Sequence, residues 1–343
     1  MARKQTTIHD IAKKAGVSSS TVSRALQDNP VINTETRKRI KTMAEKLNYQ
    51  PNFLAHSLRK GRSKMVGVLV PRIDHHFFSS VIGGIEKVLN DAGYNVVILQ
   101  ALDSLEKEII NVQSLLEQRI AGVLASPLAV SSDNKHYQLL VKNEIPLIFF
   151  DNTHIDMQVS MVLTDDYKGA RIATEHLIGQ GCRRIMFMGG PRENYIYKRR
   201  YEGFKDAMND NNLPVEENLI FNRKQDFITG EEVADIILKE GMLPDGAFSV
   251  TDHQAIHLIQ ALKNAGVNIP QQLAITGFSN AEFSSFIEPS LTTIDQHSRE
   301  MGNVAAQMLL EEFETRKSNQ FIPKKTYLIP ELIVRHSSLR KYE

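Results

Sequence analysis

Apolar residues recur at a spacing of three to four near the start of the chain and predict two short helices around a tight turn, within TIHDIAKKAGVSSSTVSRAL (7–26). Thr7 is placed to cap the first helix, Gly16 to end it in a left-handed turn, and Ser18 to cap the second. The second helix is expected to bury Val22 and Leu26. Its outward residues are then small, hydroxylated or cationic: Ser19, Ser20, Thr21, Ser23 and Arg24.

A third helix is predicted from Asn33, its cap, to about Lys46. A further short helix is indicated from Pro51 to Gly61, and two turns are marginal alone in water. Two alternatives stay open for this segment. It docks on a neighbouring domain, or it forms only beside its twin from a second subunit, with Leu58 wedged between base steps in the DNA minor groove.

From residue 65 onward the pattern changes to short β-branched runs that alternate with amphipathic helices. Runs without strict alternation, separated by helices, are typical of strands buried on both faces of a parallel sheet. The series is too long for one sheet, so we expect two doubly wound lobes, with crossings near Thr164, Asp295 and Phe321. The expected strands are 65–71, 95–101, 121–127, 146–152, 161–166, 184–190, 246–252 and 273–279, with helices at 77–92, 167–178, 197–209 and 253–265.

Composition limits the class of protein. At 343 residues with 42% apolar side chains, the chain is expected to form two or three globular domains. The single cysteine, Cys182, allows neither an internal disulfide nor a multi-cysteine zinc site. The charged start is unlike a signal peptide and no apolar run is long enough for a membrane span, so we expect a cytoplasmic protein.

Charge is distributed unevenly along the chain. Residues 1–64 hold 14 Lys and Arg against 4 Asp and Glu, whereas the other 279 residues hold 27 against 36. A basic terminal unit is the electrostatic signature of phosphate contacts. Together with this basic charge, the hydroxyl groups and the arginine on the exposed face of the second helix indicate a recognition helix that binds the DNA major groove. A helical hairpin that merely packs against the rest of the protein is the alternative.

Particular segments resemble the LacI/GalR family of bacterial transcription regulators over essentially the whole chain. They are 7–26, VINTETR (31–37), YQPNFLAHSLRKGRS (49–63), GVLVP (67–71), DDYKG (165–169), RRYEGF (199–204), GFSN (277–280) and LTTIDQ (291–296). The resemblance implies a homodimer with an all-α helix-turn-helix head (1–48), a hinge helix and linker (49–64) and an effector-binding α/β core (65–343). The core would have two lobes, each a doubly wound parallel sheet like those of periplasmic binding proteins. The first lobe would comprise approximately residues 65–163 and 296–321, and the second approximately residues 164–295 and 322–343.

By position in the family motif, Ser19, Ser20 and Arg24 match base-reading residues and Leu58 matches an intercalating hinge leucine. His56 stands where arginine is frequent. The residues expected at the DNA are Thr7, Ser18, Ser19, Ser20, Thr21, Ser23, Arg24, Asn33, Tyr49, Asn52, Ala55, His56 and Leu58.

Two facing α/β lobes bind ligands where the carboxyl ends of their strands meet. The resemblance implies that Phe77 and Phe78 stack on a ligand, although ordinary packing of Phe77 and a salt bridge of Arg200 remain alternatives. Ser279 stands where the family usually has an aspartate. The expected effector residues are Phe77, Phe78, Ser126, Asp151, Asn194, Tyr197, Arg200, Phe227, Asp252 and Ser279.

Enzymatic interpretations have weaker support. GFSNA (277–281) resembles a nucleophile elbow, with Asp295 and His297 downstream, and His253 with His257 has a helical metal spacing that lacks a third ligand. No dinucleotide or Walker motif is present, and we expect no cofactor, metal or membrane partner. The sequence and the family resemblance predict a ligand-responsive repressor that binds a pseudo-palindromic DNA operator as a dimer. Its expected effector is a sugar or sugar derivative or, alternatively, a nucleobase. An exported two-lobed sugar-binding protein is the main rival.

Overall fold

The computed structural model describes residues 6–49, 63–128, 134–152, 157–191, 193–223, 227–316 and 321–340. The chain divides into two compact units, 1–63 and 64–343. Within the described residues, no helix is both long and apolar enough to cross a membrane.

The described part of the first unit, residues 6–49, forms three helices, α1 (Ile8–Ala15), α2 (Ser19–Leu26) and α3 (Thr34–Lys46). Ile11, Val22 and Ile40 are fully buried between them. The helix starts follow the sequence prediction, because the expected cap residues accept hydrogen bonds from free backbone N–H groups. Gly16 ends α1 at φ 66°, a conformation costly for residues with a Cβ.

The first lobe of the second unit is a six-stranded, all-parallel sheet in the order β11-β5-β4-β3-β1-β2. Its strands are β1 (Met65–Val70), β2 (Asn95–Gln100), β3 (Gly122–Ala125), β4 (Leu147–Phe150), β5 (Ser160–Thr164) and β11 (Lys325–Leu328). Helices α4 (His76–Asp91) and α11 (Ser298–Thr315) pack on one face. Helices α5 (Leu105–Glu117) and α6 (Lys135–Lys142) pack on the other face.

The second lobe is a six-stranded sheet in the order β12-β10-β9-β8-β6-β7. Its strands are β6 (Ile185–Met188), β7 (Ile220–Phe221), β8 (Gly246–Ser249), β9 (Ala274–Phe278), β10 (Thr292–Asp295) and β12 (Glu331–Ile333). Helices α7 (Asp166–Gly179) and α8 (Tyr195–Asp210) pack on one face, and α9 (Gly230–Lys239) and α10 (Asp252–Asn264) on the other. Short 3-10 turns lie at Glu217–Leu219 and Glu282–Ser285.

The chain passes between the lobes three times, and the third passage corrects a prediction. The first two follow β5 and β10, as expected. Phe321 is not the third, because β11 pairs with β5 in the first lobe. The chain crosses at residues 329–330, so the expected assignment of all of 322–343 to the second lobe is wrong. The second sheet is also not purely parallel, since β12 runs antiparallel to β10.

Candidate functional site

The exposed surface of α2 forms the first candidate site. Ser20 and Arg24 are exposed, and Thr21 is partly exposed beside them. Ser18 caps the helix by accepting a hydrogen bond from the Thr21 N–H at 3.2 Å, and its hydroxyl lies 2.8 Å from that of Ser20. Hydroxyl and guanidinium groups on one side of a short, well-capped helix suit the edges of bases in the major groove.

Two serines of α2 differ from the prediction. Ser23 is only 9% exposed, so it does not belong to the outward face. The reason is its position three residues before Leu26 and directly after Val22, which places it at the margin of the buried side of the helix. Ser19 is partly buried, and its hydroxyl lies 2.9 Å from Nδ1 of His9, which ties α2 to α1.

Other residues expected at the DNA support the fold of the first unit or lie outside the described ranges. Thr7 and Asn33 are helix caps, and Tyr49 packs against the core of the three helices. A cap residue still presents backbone N–H groups to a phosphate, so these positions remain compatible with DNA contact. Asn52, Ala55, His56 and Leu58 lie outside the described residues, and so does the short helix predicted there.

The second candidate site lies at the carboxyl ends of the strands in the second unit, and Asp151 is its member from the first lobe. It directly follows β4, at φ 64°, and is partly buried. Its carboxylate accepts one hydrogen bond, from the buried hydroxyl of Ser126 at 3.3 Å. Burial and, to a smaller extent, the charge of Asp166 raise the pKa of Asp151 to about 7, against the opposing effects of Arg200 and of the hydrogen bond from Ser126.

Arg200, on α8, is the central cation of the second lobe. Its guanidinium donates to the carboxylate of Asp166 at 2.8 Å, the carbonyl of Val250 at 2.6 Å and the side-chain oxygen of Gln296 at 3.1 Å. It also lies 3.6 Å from the ring centre of Phe278. Arg200 therefore forms a salt bridge, with Asp166, which was the alternative to ligand binding for this residue. Its positive charge also lowers the pKa of Asp151 across the cleft.

Aromatic side chains border the same region. The rings of Tyr197 and Phe227 meet edge to face at 5.2 Å, and both residues are partly exposed. The electrostatic environment of Tyr197 includes Asp151 and Asp103 of the first lobe, so the two lobes face each other at this point. Asn194, expected to bind the effector, caps α8 by accepting from the N–H of Ile196 at 2.9 Å.

Asp252 does not line the cleft, in contrast to the prediction. It is 1% exposed, and its carboxylate accepts hydrogen bonds from the N–H of Ala281 at 2.7 Å and from the hydroxyls of Ser284 and Thr293. Burial raises its pKa, and these bonds oppose the shift. Asp252 therefore anchors the turn after β9, because a buried carboxylate requires several donors to offset its desolvation.

Phe78 is also corrected. It is buried in the core of the first lobe, whereas Phe77 remains partly exposed at the start of α4 and meets Phe78 edge to face at 5.1 Å. Of the two rings, only Phe77 is therefore available to a ligand in this structure. Nearby, the ring of His76 lies 6.4 Å from Phe283 of the second lobe, so aromatic residues of both lobes meet at this border.

Ser279 is not arranged as a nucleophile. Its hydroxyl accepts a hydrogen bond from the side-chain amide of Gln296 at 3.3 Å, and Asp295 accepts instead from Asn280 at 3.0 Å and from the backbone of His297 at 2.7 Å. Activation of a serine requires a hydrogen-bonded base, which this geometry does not supply. Within the described ranges, no three His, Cys, Asp or Glu side chains are grouped to hold a metal ion, and His257 pairs with Glu231.

A cavity of about 400 Å³ lies on the second lobe beside the cleft residue Tyr197. Side chains of α8 and the ends of β6 and β7 line it, with two glycines at its base: Phe187, Gly189, Gly190, Tyr197, Lys198, Tyr201, Glu217, Ile220 and Asn222. A Cβ on Gly190 would come within 2.5 Å of the Tyr197 ring, so glycine is required for this close packing.

Sequence reasoning did not select Asp166 or Gln296 as site residues. Both carried a signal, because each lies at or just beyond the carboxyl end of a strand at a crossing between lobes, Asp166 within DDYKG and Gln296 at the end of LTTIDQ. Their role follows from Arg200, which binds both and which they hold in place.

Comparison with known proteins agrees with this two-part organisation. Residues 7–52 match the model of the bacterial regulatory proteins of the lacI family, and residues 174–338 match a periplasmic binding protein-like domain. The HTH-type transcriptional repressor PurR of Actinobacillus pleuropneumoniae is 30% identical over 331 residues, covering 96% of this chain and 98% of the relative. The ribose operon repressor of Halalkalibacterium halodurans is 31% identical over 334 residues, 97% of each chain.

A solved structure shares the fold over nearly the whole length. The lac repressor dimer bound to operator and the anti-inducer ONPF superposes with a TM-score of 0.85 at 24% identity, covering 98% of this chain and 100% of that one. Together with the full-length relatives, which are transcriptional regulators and not enzymes, these matches fix the assignment. The chain belongs to the LacI family of bacterial transcription regulators.

Proposed function

We propose that this protein is a transcriptional repressor that binds a pseudo-palindromic operator as a homodimer and is controlled by a small polar effector in the cleft between its core lobes. The observation that carries the proposal is that one chain has both an exposed surface of Ser20 and Arg24 on α2 and, in its second unit, a polar cleft around Asp151 and Arg200. This role places the protein in the cytoplasm, where operator DNA is found.

In this proposal Arg24 and Ser20 read base edges, while the basic residues of the first unit supply affinity through phosphates. The 14 Lys and Arg of residues 1–64 provide the charge for such contacts. Leu58, outside the described residues, is proposed to enter the minor groove as part of the hinge.

Dimerisation is supported by an apolar surface on the first lobe, which we call the β2–α5 surface. It consists of exposed side chains on an edge strand, the following turn and one side of α5: Ile98, Leu102, Leu105, Ile109 and Ile110. Contiguous exposed apolar side chains favour association, and a two-fold pair suits two half-sites of a palindrome.

The effector is proposed to lie between Phe77, Tyr197 and Phe227, with its polar groups on Asp151 and the cluster of Arg200, Gln296 and Ser279. Aromatic rings beside carboxylate, amide and hydroxyl groups suit a small polar ring, and a sugar derivative fits this chemistry better than an apolar ligand. A ligand acts on DNA binding only if it binds the open and closed forms with different affinity.

Selection from random duplex DNA with the full-length protein tests the proposal. We expect a two-fold symmetric consensus and a dimer on each duplex, with affinity that falls steeply as salt is raised. Enrichment of no sequence, or of an asymmetric site bound by one subunit, would contradict it.

A further inference from the structure

The carboxylate of Asp151 is under-satisfied for its position. An ionised carboxylate has about four acceptor sites. From the described residues, this one accepts a single hydrogen bond, from Ser126 at 3.3 Å, although the side chain is partly buried between the lobes. Asp252, a more deeply buried carboxylate of the second lobe, by comparison receives three donors. The cleft thus contains acceptor capacity that the described protein groups do not fill.

The charges around Asp151 add to this shortage of hydrogen-bond donors. Of the described residues, Asp166 repels its charge and Arg200 attracts it. The guanidinium of Arg200 is already committed to Asp166, to the carbonyl of Val250 and to Gln296. Among the described residues, two carboxylates, one from each lobe, therefore share the Arg200 cation, which is bound directly to Asp166 and not to Asp151.

We propose that the effector is a small polar amine, of which an amino sugar is the simplest form, and that its ammonium group binds Asp151. This inference rests on the proposed function and names its ligand class. A cation at this point fills the vacant acceptors of Asp151 and reduces the repulsion from Asp166. A phosphorylated or carboxylated ligand would instead add a third negative charge, beside a guanidinium that already donates to Asp166, Val250 and Gln296.

A neutral polyol satisfies the same acceptors less well. Hydrogen bonds to charged groups stabilise more when the donor is itself charged, and the difference grows where water is excluded. Lobe closure on an amine therefore gains from an ion pair that an equally shaped hydroxyl does not form. Selectivity for the amine over its hydroxyl analogue is the expected consequence.

Matched triplets of probes test the ligand class with the full-length protein. D-glucose, D-galactose and D-mannose are each compared with their 2-amino and 6-phosphate derivatives by thermal shift and calorimetry at pH 7. We expect at least one amino sugar to bind tenfold or more tightly than its neutral parent, and the phosphates not to bind. Tighter binding of a phosphate, equal binding of amine and parent, or no response to any amine overturns the proposal.

Asp151→Asn separates the charge from the shape of the site. Asparagine tolerates the left-handed backbone at φ 64°, so the variant is expected to fold. It should lose at least tenfold in affinity for the amine and less than threefold for the neutral parent. The exposed Asp235→Asn, on α9, is the matched control and should change neither. An unchanged preference for the amine in Asp151→Asn overturns the proposal.

The test distinguishes this inference from the proposed function. Selection of a symmetric operator by the same protein preparation supports the repressor whatever the probes do. A protein that selects an operator but ignores every amine refutes only the ligand class, whereas loss of operator binding refutes the function itself.

Discussion

Replacing Asp151 with asparagine should make the protein more stable at neutral and alkaline pH. Burial raises the pKa of Asp151 from the ordinary value of 3.8 to about 7. Because the folded protein holds this proton more tightly than the unfolded chain, stability is lost as pH rises from about 4 to about 7, and the whole penalty is present above pH 7.

The size of the effect follows from that shift. A difference of about three pKa units corresponds to about 4 kcal/mol at roughly 1.4 kcal/mol per unit. Asp151 is only partly buried and the cleft admits water, which screens the charge, so we expect about 1–3 kcal/mol. Asparagine keeps the size of the side chain and still accepts the hydrogen bond from Ser126.

Urea unfolding of both proteins between pH 4 and pH 8 measures the difference in the free energy of unfolding. We expect Asp151→Asn to exceed the wild type by about 1–3 kcal/mol at pH 8 and the gap to shrink steadily toward pH 4. Asp235→Asn, exposed on α9, should differ by less than about 0.5 kcal/mol throughout. A gap that is independent of pH, or that has the opposite sign at pH 8, would refute the reasoning.

Three further changes test the other parts of the account. Arg24→Ala should weaken binding to the specific operator more than binding to random DNA, by about 1–3 kcal/mol, the value of one base contact. Lys13→Ala should weaken binding to operator and random DNA alike. Equal losses of affinity for the two DNAs by Arg24→Ala in gel-shift titrations would contradict base reading. Ile110→Asp on the β2–α5 surface should yield monomers in analytical ultracentrifugation. The control Leu139→Asp, at an exposed leucine of α6, should remain dimeric. If both variants are dimers, the β2–α5 surface is not the interface. Asp252→Ala should destabilise the core by about 3 kcal/mol in urea, because it leaves the buried N–H of Ala281 and the hydroxyl of Thr293 without the acceptor that they use here. A loss under about 1 kcal/mol would contradict its anchoring role.

The sequence predicts the strands with continuous apolar runs well, including the edge strand β2, but it does not predict β7, β10, β11 or β12. Segments such as Met65–Val70 and Leu147–Phe150 are buried on both faces and carry unbroken apolar runs, which is a strong signal. The edge strand Lys325–Leu328 alternates exposed and half-buried residues, and Ile220–Phe221 has only two residues. Their pairing depends on tertiary neighbours, so the third crossing was placed too early.

The candidate sites divide in the same way. Arg200 is expected in the cleft from the resemblance, and contact of either Arg200 or Asp151 with an effector stays a prediction. Position at the carboxyl end of a strand is sufficient to place Asp151 in the candidate cleft. It was not sufficient for Asp252, whose carboxylate turns into the second lobe, because side-chain direction after a strand depends on the donors within reach. Ser23 was misjudged for a related reason, since a residue at the margin of a helix face is buried or exposed according to what packs beside it.

The most direct test of the central claim compares the full-length protein with a chain that begins at residue 64, on an operator selected by the full-length protein. The second unit has its own hydrophobic cores and is expected to remain folded, which circular dichroism checks. We predict that the shortened protein loses all detectable operator binding while it still binds the effector. Operator binding at undiminished affinity by the shortened protein would contradict the division between a basic DNA-reading unit and an effector-sensing core.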